Sequence, residues 1–418
     1  MAIGRQEITH LRWEVELDLV AGELDATFVS KVPPGAMKAE QVSLLLNPGM
    51  EVTAVEYELG GAAGFAARRV AFPESAEVLQ VLVPFDAARN GSRLSVSYRG
   101  HLEDRSRFHR YLKDRISTQF TLLRHDSFCY PLFAESSFDS LRRSITATRM
   151  LYELRVSYSN GLEAVSPGEL VATDTEADRT IRTFRSVIPA LSMVCALGRY
   201  TQLREDGLSF WLLADEPDVA ARQVFARYAA CGRLYRELLG EPLHTIAPLL
   251  IELPEGYGCS AAPDAVLLAR DELRDSKDYR VLYHELAHGW GPWRGPRWVH
   301  EGFAEFLALT AVGRLDGPEQ AEARWRQAER DYRHVIERDP SQAGIGDGDR
   351  SAYSGGALFM KDLCDELGYD AMARIMRHCQ ETEGPETPEA FRRRAESVTG
   401  RDLSKVFARW GKPLPQAQ

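Results

Sequence analysis

Near residue 200 the hydrophobic pattern of this 418-residue chain changes its period, so no single uniform architecture can satisfy both halves. Before that point, short stretches such as HLRWEVELDLV, QVSLLLNP, EVTAVEYEL, EVLQVLVPF, SRLSVSYRG and LYELRVSYS alternate apolar with polar side chains. Alternation places every second side chain on one face of a strand. The clusters PPGA, NPG, GGAAG and ARNGS supply turns between them. Many short strands at even spacing predict a β-sandwich or an open, curved sheet over residues 1–202. Beyond it TQLREDGLSFWLLAD and PLLIELPEGYG still read as strands, but the segment between them, PDVAARQVFARYAACGRLYRELLGE, repeats at helical spacing. From Asp275 onward nearly every segment is helical and is stopped by Gly or Pro. The fold class expected is a multidomain α+β chain: a β domain over residues 1–202, then a small sheet with a helical lobe over residues 203–418.

Composition narrows the function classes. A formal net charge of −10 and a pI near 5.6 oppose a nucleic-acid partner, which asks for a basic face. No apolar run approaches the length of a membrane span, and the first residues show no basic patch leading into an apolar stretch. The six cysteines are scattered, with no C-x-x-C pair, which reads as free thiols in a reducing compartment. A cytoplasmic enzyme is the expectation. Oligomeric state leaves no signal in the sequence.

The chemistry concentrates in His284-Glu285-Leu286-Ala287-His288, an H-E-x-x-H pentapeptide inside a helical stretch. On a helix, positions i and i+4 project from one face, so both imidazoles can reach one Zn²⁺. Glu285, beside the first ligand, is placed to take a proton from a water molecule. A catalytic zinc site uses three protein ligands and leaves the fourth position open. Glu301, thirteen residues after His288 at the start of WVHEGFAEF, is the leading third ligand. Two rivals stand on the same segment: Glu305, one turn further on, which can instead act from behind a ligand, and His300.

HELAHGW followed by WVHEGFAEF resembles the aminopeptidase N and leukotriene-A hydrolase family of gluzincin peptidases. His284, Glu285, His288 and Glu301 occupy the positions of that family's two histidines, base and third ligand. Two departures are visible: the spacer before the glutamate motif is twelve residues, shorter than the family's, and His300 stands where the family has Asn. The stretch Arg350–Leu358, RSAYSGGAL, is similar to the family's Y-x-K-G-A segment. The resemblance makes Tyr353 the hydrogen-bond donor to the tetrahedral oxyanion. It extends over nearly the whole chain and implies a saddle-like antiparallel N-terminal β domain followed by a thermolysin-like zinc domain. The large C-terminal helical domain of typical members has no counterpart in the sequence.

Family aminopeptidases also carry a Gly-x-Met-Glu-Asn strand whose Glu binds the substrate's free α-amine. The corresponding stretch here is Gly258-Cys259-Ser260-Ala261-Ala262, with Ala261 at the position of that Glu. Without the carboxylate the charge-assisted bond to an ammonium group is lost. Gly258, Cys259, Ser260, Ala261 and His300 are therefore candidate substrate contacts, although Cys259 also reads simply as a small buried hydrophobe. The expected activity is zinc-dependent hydrolysis of a peptide or small amide that does not present a generic free N-terminus. One alternative is a zinc hydrolase of a non-peptide small molecule, such as the epoxide opened by leukotriene-type relatives. Another is a non-catalytic binding or scaffold descendant.

Overall fold

The computed structural model describes residues 7–33, 37–38, 40–58, 61–72, 76–85, 93–106, 112–137, 140–141, 144–145, 148–213, 218–244, 249–262, 265–274, 278–292, 295–345, 351–382 and 387–410. Asp275, the start of the expected helical half, and Arg350, the first residue of the tyrosine stretch, lie outside them. The chain divides into two compact units. One comprises residues 4–216 and 248–258, the other residues 1–3, 217–247 and 259–418.

The first unit is built of strands. Its largest sheet runs in the order Glu169–Glu176, Arg179–Arg185, Thr148–Ser159, Glu7–Asp18, Glu23–Lys31, Arg93–His101, Met50–Tyr57, Gly61–Ala62. One row across it reads Phe184, Leu154, Trp13, Phe28, Val96, Val55, each directly opposite the next and each buried. A slip of one residue in any strand would turn that strand's apolar set to solvent, so the alternation seen in the sequence pins the register. The sheet is not purely antiparallel. Glu7–Asp18 pairs parallel with Thr148–Ser159, because two segments so distant in sequence are not constrained to a hairpin.

Two smaller sheets complete the β core. One follows the order Leu132–Phe133, Gln41–Leu46, Ala76–Pro84, Ala66–Phe72, and the other Thr121–Arg124, Val194–Gly198, Glu163–Val165. Val42–Leu46 is buried without interruption, as expected where both faces of a strand are covered. Tyr200–Glu205, Leu208–Leu213 and Leu249–Leu253 also belong to this unit, the first two antiparallel and the last two parallel.

Among its described residues the second unit is helical apart from the hairpin Ser260–Ala262 with Ala265–Ala269. Its helices are Asp218–Leu239, Arg270–Arg274, Arg280–Ala287, Arg297–Ala311, Pro318–Arg338, Gly356–Leu367, Tyr369–Glu381, Pro388–Thr399 and Ser404–Trp410. Helix Arg297–Ala311 lies at the centre, with Trp298, Val299, Phe303, Ala304, Phe306, Leu307, Ala308 and Leu309 all buried. So long a buried apolar set marks a core helix. Trp298 is gripped edge-on by Phe359 and Phe391, with ring centroids 5.6 and 5.2 Å away. Such contacts contribute about 0.5–1.5 kcal/mol beyond the apolar area they bury. No described helix is long and apolar enough to cross a membrane.

Candidate metal centre

Helix Arg280–Ala287 presents His284 and Glu285, and His288 follows in helical conformation at its C-terminal cap, so the i, i+4 geometry is kept. The two imidazoles meet edge to face, with ring centroids 5.0 Å apart. Facing them, the central helix Arg297–Ala311 carries His300, Glu301 and Glu305. A carboxylate in so apolar a helix is costly unless paired, so these side chains must converge on partners.

Glu301 does so on both histidines. Its Oε2 lies 3.2 Å from Nε2 of His284 and 3.8 Å from Nε2 of His288. Ligand atoms of His284, His288 and Glu301 all fall within 4.8 Å of one another. The residues fit a zinc ion by the chemistry of the set: two neutral-capable imidazoles and one carboxylate are the donors of hydrolytic zinc sites. Burial works against ionisation of Glu301, but its hydrogen bond with His284 and the neighbouring imidazoles hold its carboxyl well below the usual range.

The two rivals for third ligand are placed elsewhere. Glu305 sits behind His284, with Oε2 3.0 Å from Nδ1, the ring nitrogen opposite the one that faces Glu301. Arg280 clasps it, Nη1 lying 2.9 and 2.7 Å from its two oxygens. Burial alone would raise the Glu305 carboxyl, yet the Arg280 charge and the His284 bond bring it down to about 2. His300 stacks on His288 with ring centroids 4.2 Å apart, and its Nδ1 lies 3.3 Å from the Pro292 carbonyl.

Glu285 is buried, and loss of solvent pushes its carboxyl up to about 7, the His284 charge opposing and the Glu301 charge adding to the shift. That is the range in which a carboxylate can both accept and return a proton at neutral pH. Tyr353 lies inside a wide π-helical turn, Ser351–Gly355, just before helix Gly356–Leu367. Such turns recur at functional sites. Its ring stacks on His284 at 5.5 Å, and the Arg297 guanidinium lies 5.4 Å from the ring centroid. Burial and the Glu301 charge push the phenol well above its ordinary value, so it remains a donor.

The candidate amine-anchor stretch spans the division of the chain: Gly258 belongs to the first unit, Cys259, Ser260 and Ala261 to the second. Ala261 pairs with Val266 in the hairpin and offers no side-chain charge. The Cys259 sulfur accepts a hydrogen bond from the Ala269 amide at 3.1 Å, and burial together with the Glu285 charge raises its thiol. Sequence reasoning passed over Arg280 and Arg297. The signal for Arg280 was present: it stands four residues before His284, on the same helical face.

No protein-family model and no curated protein matches the chain. Solved structures do. Leukotriene A4 hydrolase from Saccharomyces cerevisiae superposes with a TM-score of 0.68 at 15% identity, covering 98% of this chain and 68% of that one. A mutant M1 zinc metallopeptidase from Deinococcus radiodurans gives a TM-score of 0.66 at 17% identity, covering 98% of this chain and 95% of that one. The same enzyme bound to a Tyr-Ser-Ala substrate gives 0.63 at 17%, over 98% and 94%. Identities this low speak for the fold alone. The chain has the α+β architecture of the two-domain M1 zinc metallopeptidases, β-rich sheets followed by a small sheet and a helical lobe, together with a His-His-Glu candidate metal group.

Proposed function

We propose that this protein is a zinc-dependent hydrolase of peptide or amide bonds. The observation that carries the reading is the convergence of His284, His288 and Glu301 within 4.8 Å, with a buried Glu285 in the same turn of helix. Zinc held by those three side chains would polarise the scissile carbonyl and make water a better acid. Glu285 takes a proton from the attacking water and returns it to the leaving amine. Tyr353, stacked on His284 and kept protonated, donates a hydrogen bond to the oxygen that gains charge.

Ala261 supports a substrate without a free α-amine at the cleavage site, because nothing on that side chain can hold an ammonium group. Internal peptide bonds, blocked peptides and small amides satisfy this. All six cysteines are free and Cys129, Cys195, Cys231, Cys364 and Cys379 are buried, which supports a reducing, cytoplasmic setting.

The test is a mixed library of N-acetylated and free peptides, incubated with wild type and with Glu285→Gln, alongside metal analysis. Cleavage of blocked peptides that disappears in the variant is the expected result. A zinc-loaded protein silent across the library overturns the peptide reading in favour of a non-peptide substrate such as an epoxide. A chain that retains no zinc leaves only the scaffold reading.

A further inference from the structure

We infer that Arg280 is a positioning residue of the metal centre, acting through Glu305 on His284; the inference rests on the metal-site reading above. Arg280, His284 and His288 stand four residues apart and line one face of their helix, while Glu301 and Glu305 line one face of the helix opposite. The two stripes meet in opposite directions. Arg280 pairs with Glu305, His284 lies between Glu305 and Glu301, and His288 faces Glu301. The ladder begins as an ion pair and ends as a metal site.

The middle rung fixes the histidine. Glu305 Oε2 lies 3.0 Å from Nδ1 of His284 and Glu301 Oε2 lies 3.2 Å from Nε2, so the ring is held between two carboxylates, and a cation bound at Nε2 would leave the ring proton on Nδ1, toward Glu305. Nε2 is the nitrogen that faces Glu301 and joins the His288–Glu301 group. This orientation lasts only while the Glu305 side chain stays in place. Glu305 is 9% exposed, and a carboxylate so buried needs a charge partner to hold it. Arg280 Nη1 bridges both its oxygens. The other acids facing Arg280 are Asp278 and Glu272. Asp278 is engaged by Arg324 and by the Arg280 backbone amide, which leaves the guanidinium's contact with Glu305 as the one that reaches the histidines.

The experiment measures zinc affinity by competition with a chromophoric chelator, and thermal melting of the metal-free protein, for wild type, Arg280→Met, Arg280→Lys, Glu305→Gln and the double variant Arg280→Met/Glu305→Gln. Arg280→Met should weaken zinc binding about 10-fold or more. Arg280→Lys should recover part of the loss, and the double variant should bind no more weakly than Glu305→Gln alone. Should Arg280→Met not fold, Arg280→Lys against Glu305→Gln carries the same comparison. Wild-type affinity in Arg280→Met or additive losses in the double variant overturn the inference, as does a drop in metal-free melting temperature without a change in zinc affinity. If wild type itself takes up no zinc, the metal-site reading fails first.

Discussion

Gly302 and Gly356 meet backbone to backbone: a Cβ on Gly302 would lie 2.6 Å from Cα of Gly356, and one on Gly356 would lie 2.8 Å from Cα of Gly302. The absence of both side chains lets helix Gly356–Leu367 close onto the central helix one residue after Glu301. The preceding turn then carries Tyr353 against His284.

Gly302→Ala is therefore expected to damage the site more than the fold. The added methyl cannot be absorbed by a flexible side chain, because its neighbours are backbone atoms of Gly356 and Ala352. Overpacking of this kind costs about 1–3 kcal/mol. Thermal melts should show that loss, while turnover should fall by about 10-fold or more as Tyr353 is displaced. Unchanged turnover in a protein with a lowered melting temperature would separate Tyr353 from the chemistry.

Glu301→Ala should abolish stoichiometric zinc, measured by elemental analysis after desalting. Two imidazoles without the carboxylate leave one donor fewer than a catalytic zinc site uses. Dialysis of wild type against a strong chelator should eliminate hydrolysis, and added Zn²⁺ should restore it. Retention of zinc by Glu301→Ala would move the third ligand to another residue.

Tyr353→Phe should keep its zinc and its fold and lose about 10²–10³ in kcat, the usual effect of removing one donor to a developing oxyanion. KM should change little, since the bond strengthens only as charge accumulates. Steady-state kinetics on whichever substrate the library identifies decides this. A variant as fast as wild type would leave the tyrosine a packing residue.

The cysteines should be silent in the native protein. Burial pushes Cys195 and Cys364 up to about 12 and Cys379 up to about 11. At pH 8 roughly one in a thousand or fewer of these thiols is ionised, and the thiolate is the reactive form. A disulfide reagent at pH 8 should label these three sites only after denaturation. The same shifts set a sign for stability. The folded thiols hold their protons above their ordinary value of 9.0, while unfolded thiols release them. Stability from these groups is therefore intact below about pH 9 and declines as pH rises toward 12. Rapid labelling at pH 8 without loss of the native fold would contradict the burial.

Much of this protein is legible locally. HLRWEVELDLV, EVTAVEYEL, SRLSVSYRG and LYELRVSYS alternated because one face of each is buried in the row through Trp13 and Phe28, and every helical stretch from PDVAARQVFARYAACGRLYRELLGE to DLSKVFARWG contains a helix. His284, Glu285, His288 and Glu301 could be named because a helical turn enforces proximity between the histidines and because two motifs matched a known pattern. The parallel pairing of Glu7–Asp18 with Thr148–Ser159 was not legible, since alternation states which face is apolar and is silent on which strand lies alongside.

By itself the amino-acid order determined the period of each element, the pair of imidazoles on one helical face and the acids available to join them. All of these depend on neighbours within a turn or two. Only the tertiary structure decided that Glu301 faces the nitrogens shared by both histidines while Glu305 turns to the far side of one ring and to Arg280. Two glutamates one turn apart are equivalent in sequence. The angle and offset at which helix Arg280–Ala287 packs against helix Arg297–Ala311 make them different, and no pattern within a turn or two of either helix states that geometry.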